Sequence, residues 1–189
     1  MTAAAVTVGN VSFEVMRGDI TRVKADAIVN AANSSLLGGG GVDGAIHRAG
    51  GRAILDDCIR IRSRQGGCPP GEAVITTGGK LPASHVIHTV GPVWNGGTQG
   101  EAEVLRRCYR SVLALAAEHG VRSIAFPNIG TGIYGFPKEL AAICAWEEVT
   151  AFVRRHAEEA GTLRQVLFVC YDEENFRLYA QEAQKRRSS

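Results

Sequence analysis

The sequence lacks the features that mark several large classes of protein. Its 21 basic and 19 acidic residues leave a net charge of +2, which gives no electrostatic argument for bulk binding to nucleic acid. No apolar run approaches the roughly 18 residues needed to span a bilayer. Residues 1–8 do not place a basic region before an apolar one, as a secretory signal would. We therefore expect a protein of the cytoplasm.

The cysteines lack the pattern of a disulfide framework or of a zinc site. There are five, an odd number, and none lies in a C-x-x-C pair or at a Cys/His ligand spacing. His85 and His88 stand three apart in a predicted strand and hence on opposite faces, which does not suit a shared metal. The sequence predicts free thiols in a reducing compartment, with no metal and no cofactor.

Length and patterning predict one α/β domain. The chain has 189 residues, of which 45% are apolar and 21% charged, as is ordinary for a soluble globular protein. Segments that read as strands alternate with segments of helical period, which indicates a layered sheet covered on both faces. We expect one domain over residues 1–189, with a frayed tail at 185–189. The predicted strands are 11–16, 25–30, 72–78, 85–90, 123–127 and 164–171, and the main helices are 43 to about 64, 98–120, 137 to about 160, and 172–183.

Glycine is abundant, with 23 residues, and two clusters of it interrupt the chain between a strand and a helix. The first glycine loop is Gly38–Gly41, and the second glycine loop is Gly130–Gly135. Both fit the pattern G-x-G-x-x-G, the first of them through Gly44. Either loop alone is a weak signal, since a glycine cluster can simply turn the chain. Two loops at strand ends, each before a helix N-terminus, suit a ligand with two adjacent phosphates.

Polar side chains beside the first loop are candidates for chemistry. Asp43 is either a helix-start acid or a carboxylate that orients or deprotonates a water. His47 shares a helix face with Asp43, four residues away, and would hold Asp43 or a water in place. Asn30 and Asn33 are turn residues or ligands of ribose hydroxyls. Asp19 is either a cap or an acceptor for an exocyclic amine such as that of adenine.

Several common catalytic motifs do not occur. Neither glycine loop is followed by G-K-[ST], and no G-x-S-x-G elbow or Cys-His nucleophile is evident. The sequence therefore favours water as the attacking group, without covalent catalysis or a metal.

The motifs together resemble the MacroD-type macrodomains. NAAN at 30–33 is followed by GGGGVDGAIH, which places Asp43 ten residues after Asn33. Five further motifs occur in the family's order and extend the match to nearly the whole chain: GDIT at 18–21, GGCPPGEAVIT at 66–76, VIHTVGP at 86–92, GTGIYGFP at 130–137 and YDEEN at 171–175. The resemblance implies a three-layer α/β/α sandwich around a mixed, largely parallel sheet, with a cleft for ADP-ribose.

The resemblance also implies a role for each matching residue. Asp19 would bind the adenine amine, and the Ile20 backbone would contact the ring. Asn33 would hold the distal ribose, with Asp43 as the family's catalytic acidic residue and His47 beside it. The diphosphate would be wrapped by Gly40, Gly41, Val42, Gly130, Thr131, Gly132, Ile133 and Tyr134, and the adenosine end would be bordered by Asn175 and Phe176.

The implied activity is hydrolysis at the distal ribose. Such enzymes remove mono-ADP-ribose from acidic side chains of proteins and deacetylate O-acetyl-ADP-ribose. The sequence leaves open whether Asp43 or a substrate phosphate takes the proton of the water. It also leaves open the physiological substrate among modified protein, acetylated metabolite and ADP-ribosylated nucleic-acid ends. We expect a monomer.

The sequence is also compatible with two other classes of function. A non-catalytic reader of ADP-ribosylated partners would use the same cleft, and a Rossmann oxidoreductase would use the glycine fingerprint with NAD. The chain also departs from the common family pattern at two places, Ala49-Gly50-Gly51 after the helix histidine and Asn128 before the second glycine loop.

Overall fold

A mixed sheet of seven strands forms the centre of the computed structural model, which describes residues 2–156 and 161–187. In chain order the strands are β1 (Thr2–Val8), β2 (Val11–Arg17), β3 (Ala27–Ala31), β4 (Ala73–Thr77), β5 (His85–Thr89), β6 (Ser123–Phe126) and β7 (Gln165–Cys170). The helices are α1 (Gly41–Gly50), α2 (Arg52–Gln65), α3 (Glu101–Glu118), α4 (Lys138–His156) and α5 (Glu173–Arg187). In the described residues, no helix is both long and apolar enough to cross a membrane.

The order of the strands across the sheet is β1-β2-β7-β6-β3-β5-β4. The five inner strands run parallel to one another, while β1 and β4 pair antiparallel at the two edges. Parallel strands end at the same edge of a sheet, so the segments that come after β3 and β6 emerge side by side. These segments lead to the two glycine loops.

Each face of the sheet is covered by its own set of helices. On one face α3, α4 and α5 pack over an apolar cluster that includes Phe13, Trp146 and Phe168, all fully buried. On the other face α1 and α2 bury Ile46 and Ile54 against the sheet. The predicted α/β/α sandwich with a mixed, largely parallel sheet is confirmed.

Strand β1 was not among the predicted elements. It pairs antiparallel with β2, with Val6 opposite Phe13, and a turn at Gly9 and Asn10 connects the two strands. Its first half is a run of alanines, which have low strand propensity and give no apolar alternation. The pairing with β2 decides its conformation.

The predicted single helix from Asp43 to about Arg64 is wrong, because the structure divides it at Gly51. Gly51 has φ +82° and ψ −171°, a conformation that favours glycine and ends α1, and its N–H donates to the His47 carbonyl at 3.0 Å. Gly50 packs directly against α2, since a Cβ there would lie 2.0 Å from Ile54 Cδ1 and would require the buried Ile54 side chain to shift. The Ala49-Gly50-Gly51 departure is thus the junction between two helices.

Thr98 and Glu101 have the spacing of a capping box, which predicts that the helix begins at residue 98, and this prediction is wrong. Helix α3 begins at Glu101 itself, and Gly100 at its N-cap supplies no side chain. The Glu101 carboxylate instead accepts hydrogen bonds from the backbone N–H groups of Asn95, Gly97 and Gln99, at 2.9, 2.8 and 2.6 Å. It therefore organises the loop before the helix.

The chain near its C-terminus is more ordered than predicted. Helix α5 continues beyond Ala183 to Arg187, and Lys185 forms an ion pair with Glu182 at 3.0 Å. Arg187 Nε donates to the Ala5 carbonyl at 2.7 Å, which ties α5 to β1. The predicted frayed tail is wrong for residues 185–187, and residues 188–189 lie outside the described residues. The predicted end of α4 near residue 160 also lies outside them.

Candidate active site

The site lies where β3 and β6 end. The N–H of Ala32 donates to the Thr89 carbonyl at 2.9 Å, which extends the pairing of β3 with β5 by one residue and fixes the start of the loop. The chain then passes through Asn33 and the first glycine loop into α1. The second glycine loop comes after the neighbouring strand, β6.

The start of α1 is open to a ligand. Its N-cap is Gly40, which supplies no side chain to the unpaired N–H groups of the first turn. A Cβ added at Gly40 or Gly41 would meet nothing within 4 Å, so space lies in front of these groups. An uncapped helix N-terminus facing open space is suited to an anion.

Asp43 is the buried acid of this site, with 5% of its surface exposed. Its Oδ1 accepts a hydrogen bond from Asn30 Nδ2 at 2.8 Å. His47 Nε2 lies 3.3 Å from the same oxygen, and the His47 side chain is 15% exposed. The structure thus brings Asp43 and His47 together and adds Asn30 behind them.

Asn33 and Asp43 converge on Gly39. A Cβ built on Gly39 would lie 3.1 Å from Asp43 Oδ2 and 3.2 Å from Asn33 Nδ2. Asn33 is at the same time a turn residue, because its Oδ1 accepts from the Ser35 N–H at 3.1 Å and its Nδ2 donates to the Gly38 carbonyl at 2.8 Å. An amide and a carboxylate therefore meet at the surface of the first glycine loop.

Asn30 does not lie where it could bind ribose hydroxyls, which was one of its two predicted roles. It is fully buried, so it does not face a ligand, and its amide is bound to Asp43 and to His88. The interpretation of Asn30 as a ribose ligand is wrong. Its side chain points inward because Asn30 lies two residues after Ile28, on the face of β3 that α1 and α2 cover.

The second glycine loop is held by neighbouring backbone. Gly130 has φ +82°, and its carbonyl accepts from the Phe136 N–H at 2.9 Å, which closes the loop. The Trp94 N–H donates to the Tyr134 carbonyl at 2.8 Å, and the Trp94 ring packs edge-on against Phe136 with centroids 4.9 Å apart. Ile133 at the tip is 93% exposed. The loop is thus anchored at its base with its tip toward solvent.

A cavity of about 540 Å³ lies where the chain leaves β2. Asp19 lines it and also caps a short 3-10 turn at Ile20–Arg22. Hydrogen bonds from the Thr21 hydroxyl and N–H lower the pKa of Asp19, which keeps it ionised. The residues lining the cavity are Arg17, Gly18, Asp19, Tyr171, Glu173 and Phe176.

Asn175 and Asn128 turn away from this cavity. Asn175 is buried, its N–H donates to Asp172 Oδ1 at 2.8 Å, and its Nδ2 donates to Asp172 Oδ2 at 3.1 Å. Asn128 Nδ2 donates to Cys170 Sγ at 3.5 Å, and its Oδ1 accepts from the Tyr171 N–H at 3.4 Å. Of the two residues carried over to the adenosine end, Phe176 lines the cavity, whereas Asn175 holds the start of α5.

The sequence did not reveal that His88 and Thr76 lie behind the site. His88 stands opposite Asn30 in the register of β3 and β5 and is fully buried. Thr76 Oγ1 lies 2.9 Å from His88 Nε2. Burial is the main cause that lowers the pKa of His88 to about 3, so its ring is neutral at physiological pH. The signal available in the sequence was a polar residue inside each of two apolar strand segments. That the two residues are neighbours follows only from the register of the strands, which the sequence does not give.

The thiols show no sign of activation. All five cysteines are free and buried. Burial raises the pKa of Cys58 to about 11 and that of Cys68 and Cys170 to about 12, which disfavours the thiolate. Among residues 2–156 and 161–187, no group of three or more His, Cys, Asp or Glu side chains could hold a metal ion.

Comparison with known proteins identifies the family. The model of the Macro domain family matches residues 29–145. A macro domain-containing protein of Cupriavidus necator is 62% identical over 88% of this chain and 94% of its own length. A protein of Klebsiella pneumoniae named O-acetyl-ADP-ribose deacetylase is 59% identical over 88% of this chain and 93% of its own. The Oceanobacillus iheyensis macrodomain with ADP superposes with a TM-score of 0.89 and 40% identity, covering 100% of this chain and 98% of that one. Fold, site and similarity agree, and the chain belongs to the macro domain family.

Proposed function

We propose that this protein is an ADP-ribose-binding hydrolase. It deacetylates O-acetyl-ADP-ribose and removes mono-ADP-ribose from acidic side chains of proteins, by attack of water on the ester at the distal ribose. The observation that carries the proposal is the convergence of Asp43 Oδ2 and Asn33 Nδ2 on Gly39, beside an uncapped helix start. The deacetylase names of relatives and the ADP in a macrodomain structure support it.

The ligand lies along the cleft in one direction. Adenine occupies the cavity beside Asp19, where the ionised carboxylate accepts from the exocyclic amine and Phe176 offers a ring. The diphosphate lies between the two glycine loops, against the N–H groups that open α1. The distal ribose then lies beside Asn33 and Asp43.

The chemistry is an ester hydrolysis in which water supplies the nucleophile. The water oxygen bonds to the acyl carbon, the bond from that carbon to the ribose oxygen breaks, and the ribose oxygen takes a proton. ADP-ribose and the free acid are released. Asp43 orients the water through Oδ2, while Asn33 holds the ribose. Fixing both partners in this way removes much of the entropic cost of the reaction.

The decisive experiment separates binding from turnover. Asp43→Ala should bind ADP-ribose with nearly the wild-type Kd in calorimetry and lose most hydrolysis of O-acetyl-ADP-ribose and of a glutamate-ADP-ribosylated protein. A wild-type protein that binds ADP-ribose and turns over neither substrate is a reader, and a clear preference for NAD over ADP-ribose would indicate an oxidoreductase. Asp43→Ala with wild-type turnover would remove Asp43 from the mechanism.

A second variant distinguishes the acceptor of the proton. Asp43→Asn keeps the shape and one oxygen of the side chain but is not a base. If Asp43 takes the proton, this variant is as slow as Asp43→Ala. If a substrate phosphate takes it, Asp43→Asn keeps most of the turnover.

The enzyme acts as a monomer in the cytoplasm and needs no metal, so hydrolysis should continue after treatment with a chelator. Loss of activity that added Mg²⁺ or Zn²⁺ restores would contradict the metal-independent mechanism. Sedimentation of the wild-type protein tests the monomer, and ADP-ribosylated nucleic-acid ends extend the substrate panel.

A further inference from the structure

A chain of hydrogen bonds runs from the sheet into the back of Asp43. It begins on β4 at Thr76, continues through His88 on β5 and Asn30 on β3, and ends at Asp43 on α1. The first three residues are fully or nearly fully buried on the face of the sheet that α1 and α2 cover. Polar groups are costly to bury in such surroundings unless they are paired, so we expect this series of hydrogen bonds to have a role beyond packing.

The direction of each hydrogen bond can be assigned from chemistry. Thr76 has a single proton on Oγ1 and donates it to the Thr77 carbonyl at 3.0 Å. With that proton on the Thr77 carbonyl, we assign the Thr76 oxygen as the acceptor of a hydrogen bond from His88 Nε2, which stands 2.9 Å away. A neutral imidazole with its proton on Nε2 has a lone pair on Nδ1.

The lone pair of His88 sets the orientation of Asn30. Asn30 Nδ2 lies 3.0 Å from His88 Nδ1 and 2.8 Å from Asp43 Oδ1, and it donates one proton to each. A flipped amide would place Asn30 Oδ1 against the carboxylate and lose both bonds. Within the described residues, Oδ1 has no hydrogen-bond partner, so the two bonds from Nδ2 alone fix the amide.

The consequence reaches the cleft through the two oxygens of Asp43. Oδ1 is occupied on the inner side by Asn30 and by His47 Nε2 at 3.3 Å. Oδ2 is left on the outer side, where it is the oxygen nearest to Gly39. Holding one oxygen from behind therefore aims the other at the place where Asn33 also points.

We propose that His88 is a positioning residue of the active site: held by Thr76 in the tautomer with the proton on Nε2, it orients Asn30 and thereby aims Asp43 Oδ2 at the distal ribose. His88 touches neither the substrate nor the water. The inference rests on the proposed hydrolase function, because it assigns a part in that reaction.

A matched pair of substitutions tests His88. Asn and Leu have nearly the same size and branching, but only the Asn side chain can accept a hydrogen bond near the position of Nδ1. We expect His88→Leu to lower kcat by about tenfold to a hundredfold, the scale for a misplaced catalytic group, and His88→Asn to recover most of it. The Kd for ADP-ribose and the KM should change little in both, since His88 lies behind Asp43.

A second pair acts on the tautomer and perturbs packing less. Thr76→Val removes the acceptor for Nε2–H without changing the shape of the side chain, whereas Thr76→Ser keeps the hydroxyl. We expect Thr76→Val to lower kcat and Thr76→Ser to stay near the wild type. This pair decides the question if His88→Leu does not fold, as judged by its melting curve.

The tautomer can be observed without any substrate. Proton–nitrogen correlation spectra of the ¹⁵N-labelled protein should show His88 protonated at Nε2 alone, with the signal assigned by its loss in His88→Asn. A proton on Nδ1 would overturn the inference. Equal kcat for His88→Leu, His88→Asn and active wild type would also overturn it and leave the hydrolase function intact. An inactive wild type would instead refute the hydrolase function itself.

Discussion

Trp94 and Tyr134 are joined by a backbone hydrogen bond of 2.8 Å that links the loop before α3 to the second glycine loop. The Trp94 segment is in turn folded around the carboxylate of Glu101, which accepts three backbone N–H groups. The Trp94 indole packs closely against the backbone of Gly97, since a Cβ there would be 2.8 Å from the ring. A carboxylate outside the cleft thus supports one side of the proposed diphosphate site.

Glu101→Gln should weaken that support. An amide replaces one acceptor oxygen by a donor, so some of the three N–H groups lose their partner and the second glycine loop loosens. We expect KM for O-acetyl-ADP-ribose to rise by about threefold to tenfold with little change in kcat, as for a loss of uniform binding. Glu103→Gln, at an exposed position of the same helix, is the matched control. Equal KM values in the two variants would contradict the role of Glu101.

Gly39→Ala should impair catalysis and leave the fold intact. The added methyl group lies 3.1 Å from Asp43 Oδ2 and 3.2 Å from Asn33 Nδ2, in the space that we assign to the ribose. We expect kcat/KM to fall by at least about tenfold. Gly161→Ala, where the new Cβ lies at an ordinary 3.5 Å from the His156 carbonyl oxygen, is the control. Wild-type turnover in Gly39→Ala would show that the ribose lies elsewhere.

Asp19→Asn should reduce the selectivity for adenine. The ionised carboxylate accepts from the exocyclic amine, and a hydrogen bond to a charged group contributes about 1.5–3 kcal/mol. We expect the wild type to bind ADP-ribose at least about tenfold more tightly than its hypoxanthine analogue, which lacks the amine. The amide of the variant can donate as well as accept, so the ratio should approach one. Calorimetry with both ligands measures it, and an unchanged ratio would contradict the assignment.

His88 should also make stability depend on pH. Its pKa is lowered from 6.5 to about 3 in the folded protein, chiefly by burial and then by His47, while Asp57 opposes the shift. The unfolded chain takes up a proton first, so this contribution to stability is present above pH 6.5 and is lost as the pH falls toward 3. The groups facing His88 are Asn30, His47, Asp57, Cys58 and Thr76, and Asp43 lies beyond Asn30.

The measurement is the free energy of unfolding in urea at several pH values in that range. We expect the wild type to lose stability more steeply than His88→Leu, which has no proton to take up at this position. Parallel curves for the two proteins would show that His88 titrates normally. His85→Leu, a substitution of a partly exposed histidine of the same strand, is the control.

Trp146 carries a large part of the core on the far face of the sheet. Its ring stacks on Phe13 at 5.5 Å between centroids and packs against Phe168 at 4.9 Å, with no exposed surface. Trp146→Ala should lower the free energy of unfolding by about 3–5 kcal/mol through lost burial and the cavity left behind. The Kd of the variant for ADP-ribose, measured where it remains folded, should stay near that of the wild type.

The sequence predicted the layers of the fold because the apolar periods of its inner elements are clear. Strand β7 reads as a continuous apolar run, and it lies inside the sheet, between β2 and β6. The prediction failed where a neighbour decides the structure. The alanines of β1 become a strand only by pairing with β2, and Glu101 reads as part of a capping box until the loop folds around it.

For a similar reason, the sequence indicated some of the contacts within the site and not others. Asp43 and His47 lie one helical turn apart, so local geometry alone explains their proximity. Asn30 and His88 are 58 residues apart, and only the register of two strands makes them neighbours. Local spacing could not indicate that Asn30 faces the interior.

The glycine junction between α1 and α2 separates two parts of the chain that could otherwise affect each other. The Gly50 carbonyl accepts from the Lys80 N–H at 2.9 Å, a bond that fastens α1 to the turn after β4 and involves no residue of α2. Substitutions on the outer surface of α2 should therefore leave the Asp43 carboxylate in place, except at Arg62, whose Nη1 donates to the Ser35 carbonyl at 3.1 Å beside Asn33.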